Sequence, residues 1–294
     1  DSLTLESATS SPIAIPARRR LRGRFLRHPG ARIGGLLILL AAGGALLAPL
    51  LTTYDPVAIA PAERLQTPSR AHLLGTDIYG RDTLARVLYG GRISLAVGGL
   101  SVGLALVVGG TVGALSGYWG GSVDAVVMRV ADGMLTIPTF FLALLVLAVF
   151  GSNIVNVVLT IGGMGWMVVA RVVRAEVLRT LPQEFVAAAR AIGASDARLL
   201  FRHLLPQALP SMIVAATLGV AYAILTESAL SYLGLGVQPP MPTWGNMLTG
   251  AQHYVWTKPI LAVYPGVMIM LTVLSYNAVG DALRDTLDPR HAGT

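Results

Sequence analysis

The sequence contains no cysteine and a single lysine, Lys258, in 294 residues. Without cysteine there is no disulfide framework, no thiolate nucleophile and no cysteine-held metal. A phosphate-binding loop of the GxxxxGK[ST] type needs a lysine that reaches the terminal phosphates. The one lysine lies in Trp256-Thr257-Lys258-Pro259, so no such loop is possible and the chain is not itself an ATP-hydrolysing motor. Charge is scarce too. Only 13% of residues are charged, about half of the roughly 25% usual in soluble domains. A soluble fold could not cover its surface with so few charges, which excludes an ordinary cytosolic enzyme and a disordered protein. Histidines 28, 72, 203, 253 and 291 form no HxxxH or HExxH pair, so no zinc site is indicated. None lies deep in an apolar run, so a serine hydrolase within a membrane has no base.

What the chain has is apolar length. Hydrophobic residues make up 54% and the mean hydropathy is +0.65. A bilayer core takes roughly 20 apolar helical residues. Five runs without Asp, Glu, Lys or Arg can supply them: Ile33–Tyr54, Ile93–Val123, Gly133–Ala170, Leu204–Thr226 and Pro259–Gly280. The third would be about 57 Å long as one helix, nearly two core thicknesses. Gly151-Ser152-Asn153 splits it into two spans, for six in all. The expected spans are 33–54, 93–117, 133–150, 154–171, 210–230 and 259–281, in an all-α membrane protein with both termini on one side. The chain starts at Asp1 rather than at methionine, which points to a start other than the native one. Residues 1–17 are polar and aperiodic and are expected to be disordered. The first apolar run is too far in and too long for a cleaved signal peptide.

The net charge of +7 would suggest nucleic acid in a soluble protein, but here it first reports topology. Of 22 basic residues, 16 fall on the side of the termini and six on the other. The excess marks the termini as cytoplasmic; nucleic acid is not an expected partner. Three connecting segments are too long for simple turns: 55–92 and 231–258 outside, and 172–209 inside.

The inner segment is the most informative. Thr180 and Gln183 have the spacing of a capping box, with Pro182 in the first turn. Phe185, Ala188, Ala189 and Ile192 share one face of a short helix, and Gly193 is placed to end it in the left-handed conformation. Ser195 and Asp196 open a second helix that runs to Pro206. Two short helices at a glycine bend, with small residues outward, suit docking of another protein; spacing alone leaves an ordinary surface loop equally open.

This segment resembles the EAA loop of inner-membrane permeases of binding-protein-dependent ABC importers. The pattern falls on Ala187, Ala188, Ala189, Gly193, His203, Leu205 and Pro206. Ala187 replaces its glutamate, His203 its isoleucine, and Glu184 stands one turn early. Other segments resemble the dipeptide/oligopeptide/nickel branch, in its C-type subunit: His72–Asp82 with Gly91–Leu95, Gly117–Pro138, Glu227–Gly245 and Asn277–Arg290. The resemblance implies a type I importer permease fold and a multi-pass place in the bacterial inner membrane. It implies a permease core at 93–290 behind a basic tail 1–32, with 282–294 as the cytoplasmic end. The implied partners are a B-type permease, two ATP-binding subunits or a fused ATPase that hold ATP and Mg, an extracytoplasmic binding protein or lipoprotein, and membrane lipid. No cofactor is implied on this chain.

By the same resemblance Glu184, Phe185, Ala187, Ala188, Ala189, Arg190, Gly193, Asp196, Leu205 and Pro206 would couple to the ATPase, and its closure would rock the spans between two access states. Glu227, near the outer end of the fifth span, reads as an outer-vestibule or gating residue or as a simple interface anchor. Gly99, Gly103, Gly109, Gly113 and Gly117 give small-xxx-small spacing for close helix packing, within the chain or against a partner. Met164, Met167, Met212, Met268 and Met270 read as lipid-facing or core filler. His72 with Asp77 and Asp82 reads as a hydrogen-bonded turn, with a cation site as the alternative. The lack of mid-span carboxylates weighs against an ion-coupled secondary transporter; that transporter, a membrane scaffold, and a permease for nickel or another solute remain alternatives to peptide import.

Overall fold

The computed structural model describes residues 23–287. Residues 1–22 and 288–294, including most of the basic tail and Arg290, lie outside them. Among the described residues the chain is helical, with one isolated β-bridge between Thr76 and Asp82. The long helices are α1 (Pro29–Leu46), α3 (Thr83–Trp119), α4 (Gly121–Thr136), α5 (Thr139–Phe150), α6 (Ile154–Thr180), α8 (Asp196–Tyr232) and α10 (Ile260–Leu287). Shorter ones are α2 (Ala48–Leu51), α7 (Glu184–Ala191) and α9 (Trp244–Ala251). Five helices are long and apolar enough to cross a membrane, and the bent pair α4–α5 makes up to six. Their outward faces carry Leu36, Leu39, Val107, Phe141, Val149 and Val155, all exposed, as lipid rather than water would demand.

α1 and α8 run in one direction and α3, α6 and α10 in the other, so that α3 and α6 pack parallel, Gly109 against Trp166 and Gly117 against Arg174. At the near end the start of α1 meets the end of α10, where His28 Nε2 stands 3.6 Å from Asp285. At the far end the first third of α3 meets the last turns of α1 and α8. Close backbone approach holds the centre together. A Cβ on Gly113 would lie 2.8 Å from Ala170 Cα, and one on Gly162 would lie 2.7 Å from Ser101 O. Glycine is therefore required on both sides of the α3–α6 contact.

Helix ends differ from the hydropathy spans because charge does not stop a helix whose charges find partners. α3 starts at Thr83, ten residues before the expected 93, capped by Asp82 Oδ1 accepting from Ala85 N at 2.7 Å. Arg86 donates to Pro56 O at 3.1 Å. Arg92 donates to Ala45 O and Leu46 O, at the place where α1 ends. Pro49 cannot donate to Ala45 O, so the expected span 33–54 is a helix from Pro29 to Leu46 followed by the short α2.

The expected span 133–150 is not straight. α4 and α5 meet at an 86° bend at Ile137-Pro138. Proline has no N–H to continue the ladder, and its ring disfavours helix in Ile137. Gly151, with φ +86°, closes the next turn. Asn153 caps α6, and Asn156 donates to Phe150 O and Gly151 O.

The loop expected at 172–209 is mostly helix. α6 continues to Thr180, so the span 154–171 is nine residues short. Thr180 therefore ends one helix and cannot cap the next. Gln183 takes the N-cap position of α7 without a side-chain bond, so the expected capping box is absent. α8 runs unbroken from Asp196 through Pro206 and Pro210, not from 210. A π-helical stretch, Leu199–Leu204, precedes Pro206, and such widened turns accommodate the missing donors. The segment expected as loop 231–258 holds α9, whose Thr243 and Asn246 form a capping box. α10 extends past 281 to Leu287.

Candidate functional site

α6 ends at Thr180, and only Leu181, Pro182 and Gln183 separate it from α7. Gly193 then turns the chain with φ +87°, a conformation that strains any residue with a Cβ. Ser195 caps α8, its Oγ accepting from Arg198 N at 3.4 Å. Both arms of the bend are thus continuous with long helices of the bundle.

The bend has an inner and an outer face, divided differently from the expected one. Val186 and Ala189 are buried and pack with Leu199, Leu200 and Leu204. Ala189 is therefore a core residue, not a surface one. Glu184, Phe185, Ala187, Ala188, Arg190, Ile192, Gly193, Asp196 and Pro206 are exposed, and Leu205 is half-buried. Ile192 is 88% exposed. Phe185, Ala187 and Ala188 are exposed on the same short segment, and Arg190, Arg198 and Arg202 are exposed nearby in sequence. Exposed apolar residues grouped in this way, rather than one isoleucine alone, suit coverage by a partner.

Polar contacts tie the bend to α3, and α4 to both α3 and α6. The Tyr118 hydroxyl donates to Asp196 Oδ1 at 2.5 Å and accepts from Arg190 Nη2 at 3.3 Å. Ser116 donates to Asp124 at 2.5 Å, and Arg174 on α6 grips the same carboxylate with two N–H groups. Arg171 pairs with Asp132 farther along α4.

Beside the bend lies a cleft of about 980 Å³ between α3, α5, α6, α8 and α10. Its middle is apolar, with Val102, Ile161, Val168 and Leu218. Its near mouth is polar, with Glu176, Arg179, Gln207 and Arg284. There Glu176 accepts from Ser211 Oγ at 2.7 Å and from Arg179 at 2.6 and 2.9 Å. Farther in, the Tyr222 hydroxyl meets Thr139 Oγ1 at 3.0 Å and bridges α8 to the α4–α5 bend. Met164 packs against the apolar core, as expected of filler, and also lines the cleft. Met167 is fully buried and Met270 exposed, while Met212 packs against the near-end core.

The remaining sequence candidates separate clearly. Glu227 is fully buried. It accepts from Ser231 Oγ at 2.7 Å and from Ser94 Oγ at 3.3 Å, while Ser94 Oγ accepts from Trp244 N at 3.2 Å. It is a clamp joining α3, α8 and α9 and does not line an open vestibule. Gly109, Gly113 and Gly117 pack against α6, whereas Gly99 and Gly103 face outward with open space beyond them. Gly99-Leu100-Ser101-Val102-Gly103 spells a GxSxG pattern, but it lies inside a continuous helix where Ser101 Oγ donates to Val158 O at 3.4 Å. His72 Nδ1 lies 2.9 Å from Asp82 Oδ2, and Asp77 faces Arg81 at 2.7 Å and Arg86 at 3.3 Å. This is the hydrogen-bonded turn, with each carboxylate already engaged.

Sequence reading missed Tyr118, Asp124, Arg174, Tyr222 and Thr139. Each is one side chain meeting a partner 50 or more residues away, a pairing without local spacing. The only hint in the sequence is that Arg174 and Asp124 are charges placed beside apolar runs.

Residues 109–292 match the family described as Binding-protein-dependent transport system inner membrane component. Residues 17–68 match the N-terminal TM domain of oligopeptide transport permease C. The chain is 42% identical over 246 residues to the dipeptide transport system permease protein DppC of Alkalihalophilus pseudofirmus, covering 84% of this chain and 81% of that one. It is 40% identical over 288 residues to the glutathione transport system permease protein GsiD of Pectobacterium atrosepticum, covering 98% and 95%. It is 37% identical over 267 residues to the oligopeptide transport system permease protein OppC of Bacillus subtilis, covering 91% and 88%. Among solved structures, a chain of the MetNI methionine ABC transporter in inward-facing conformations shares the fold. Its TM-score is 0.54 at 18% identity, with 68% of this chain and 95% of that one covered.

Proposed function

The chain belongs to the binding-protein-dependent transport system inner membrane component family, the multi-pass permease subunits of ABC importers, and from that premise we propose that it forms half of a peptide-import pathway with its near end in the cytoplasm. The cleft between α3, α6 and α8 is the chain's share of that pathway, completed by a homologous B-type permease. Its apolar middle with a few hydroxyls suits peptides of varied side chain, which a pathway must pass without holding tightly. Di- or oligopeptides would be delivered by an extracytoplasmic binding protein or lipoprotein to the far end, where Glu227 and Ser94 clamp the helices.

The observation that carries this reading is the exposed apolar bend joined directly to α6 and α8, both of which line the cleft. Any protein that grips Phe185 and Ile192 moves those helices. That protein would be one of two ATPase subunits, or a fused ATPase, carrying ATP and Mg. Glu184, Ala187, Ala188, Arg190 and Gly193 surround the grip. Leu205 and Pro206 sit farther along, and Ala189 supports it from within. The exposed Arg190, Arg198 and Arg202 follow the excess of positive charge expected on the cytoplasmic side.

The test replaces Gly193 by valine in the assembled complex, using uptake of an equimolar di- to pentapeptide mixture into proteoliposomes. Nothing lies within 4 Å of a Cβ at this position, so any effect comes from backbone strain at φ +87° and not from a clash within the chain. Loss of ATP-driven uptake with the ATPase still bound supports coupling through the bend. Unchanged uptake with intact assembly refutes it. Ion-driven uptake by the isolated chain without ATP would instead favour a secondary transporter.

A further inference from the structure

The two arms of the bend meet at one hydroxyl. Arg190 lies in the last turn of α7, three residues before Gly193, and Asp196 lies three residues after it. The two side chains do not pair with each other. Both reach the Tyr118 hydroxyl, which accepts from the guanidinium and donates to the carboxylate. Tyr118 sits one residue from the end of α3. Its ring is half-buried and packed against the near-end core. Its neighbour Gly117 fits so closely to α6 that a Cβ there would lie 3.0 Å from Arg174 O. The hydroxyl is therefore fixed to the rigid α3–α6 contact, while the arms it holds flank the one residue of the bend with positive φ.

We propose that Tyr118 is a positioning residue whose hydroxyl pins both arms of the Gly193 bend to α3, so that the bend and the α3–α6 pair move as one body. This deepens the coupling reading and rests on it. It also changes the assignment of Arg190 and Asp196: they act inward, on Tyr118, and the outward contact is left to Phe185, Ile192 and the exposed alanines. A bend held at Gly193 alone would pivot when its outer face is pulled and dissipate the displacement. With both arms fixed to one hydroxyl, the same pull reaches α3 and, through its glycine contact, the wall of the cleft.

The chain has no cysteine, so labels can be placed without background. Cysteines at Trp119 and Ala197, both exposed, put one spin label on α3 and one beyond the bend. The complex with its partner permease, ATPase and binding protein is reconstituted, and the label distance is read with and without trapped ATP. Peptides imported per ATP hydrolysed are measured with the same di- to pentapeptide mixture. The pinned chain gives one narrow distance that ATP does not change. Tyr118→Phe keeps the ring but removes the hydroxyl. It is expected to keep the complex assembled, to broaden the distance, and to lower the peptide-to-ATP ratio about tenfold or more, the order for losing a hydrogen bond to a charged group. Asp196→Asn, which keeps an acceptor, should retain the narrow distance. Asp196→Ala should match Tyr118→Phe, and the double variant should be no worse than either.

A narrow distance and an unchanged ratio in Tyr118→Phe overturn the proposal. So does an effect of Asp196→Ala that Tyr118→Phe lacks, which would return Asp196 to the outward contact. Failure of the peptide-import reading shows elsewhere, as absence of ATP-driven uptake by the complex with native Tyr118. The label distances in the two Tyr118 forms still decide the pin in that case.

Discussion

Five of the nine glycines of α3, Gly99, Gly103, Gly109, Gly113 and Gly117, look equivalent in sequence but differ in their surroundings, and the difference sets up a controlled experiment. Gly99→Ala and Gly113→Ala make the same chemical change in the same helix, so the gain in helix propensity, about 1 kcal/mol, is common to both. At Gly99 nothing lies within 4 Å of the new methyl. At Gly113 the methyl meets the backbone of Ala170, with Cα at 2.8 Å where ordinary contact begins near 3.4 Å. Backbone cannot rotate aside as a side chain can, so α3 and α6 must separate. Overpacking costs about 1–3 kcal/mol, and a backbone obstacle places this case near 3. At roughly 2–4 °C per kcal/mol, the two variants of the purified chain in detergent should differ in Tm by about 6 °C or more, Gly113→Ala being the lower. Measuring the isolated chain keeps the open face of Gly99 clear of any partner. Equal melting of the two variants would refute the reasoning, because it would mean that α3 and α6 are not packed backbone to backbone.

Three further outcomes follow from the geometry. Glu227→Ala leaves the hydroxyls of Ser94 and Ser231 without their acceptor in a closed site and should cost about 2 kcal/mol or more, whereas Glu227→Gln keeps an acceptor and should melt higher than Glu227→Ala; coincident melting curves would disprove the clamp. Ile192→Asp should leave the Tm of the chain within about 1 °C, as expected for an exposed position, while ATPase co-purification falls; retained co-purification would remove Ile192 from the contact. Asp77→Asn leaves the buried guanidinium of Arg86 without its carboxylate, a loss of about 3 kcal/mol. It should speed tryptic cleavage after Arg64 and Arg70, and unchanged cleavage would show that Asp77 does not hold the far-end segment.

Helix existence was legible from hydropathy because each span is apolar over about five turns or more. Helix ends were not, because they depend on partners that a sequence does not display. Arg92 closes off a run when charges are counted, yet in the fold it fills two carbonyls freed at the end of α1. Thr180 and Gln183 have the spacing of a cap, but α6 packs on α3 as far as Val177 and carries Thr180 into its last turn. Gly193 was legible because a single residue type answers to a local need for positive φ. The division of Ala188 outward and Ala189 inward was not, since alanine fits either face and only the position of Leu199 and Leu204 decides. Glu227 shows the same limit for charge: its depth along the span was readable, but its three-helix clamp needs Ser94, 133 residues earlier.

The distribution of burial also shows where the structure can yield. α3 and α6 are joined by glycine contacts along the whole interface, so relative motion between them would have to break close packing everywhere at once. In α4, by contrast, Ala131 alone is buried, and in α5 only Ala143 and Leu147. The bent pair is held at its near end by Asp124 on Arg174 and Asp132 on Arg171, at its bend by the hydroxyls of Thr139 and Tyr222, and along α5 by Ala143 and Leu147 in an apolar cluster with Val157 and Ile161. The polar contacts can be exchanged one at a time, and the apolar contacts of this wall are far fewer than those between α3 and α6. A cleft with one rigid wall and one wall hung on exchangeable contacts opens by moving the second. Under the proposed coupling, a displacement taken up at Phe185 and Ile192 would pass into the α3–α6 pair as a unit, and the change in cleft width would fall on α4–α5, at the bend where Tyr222 and Thr139 meet.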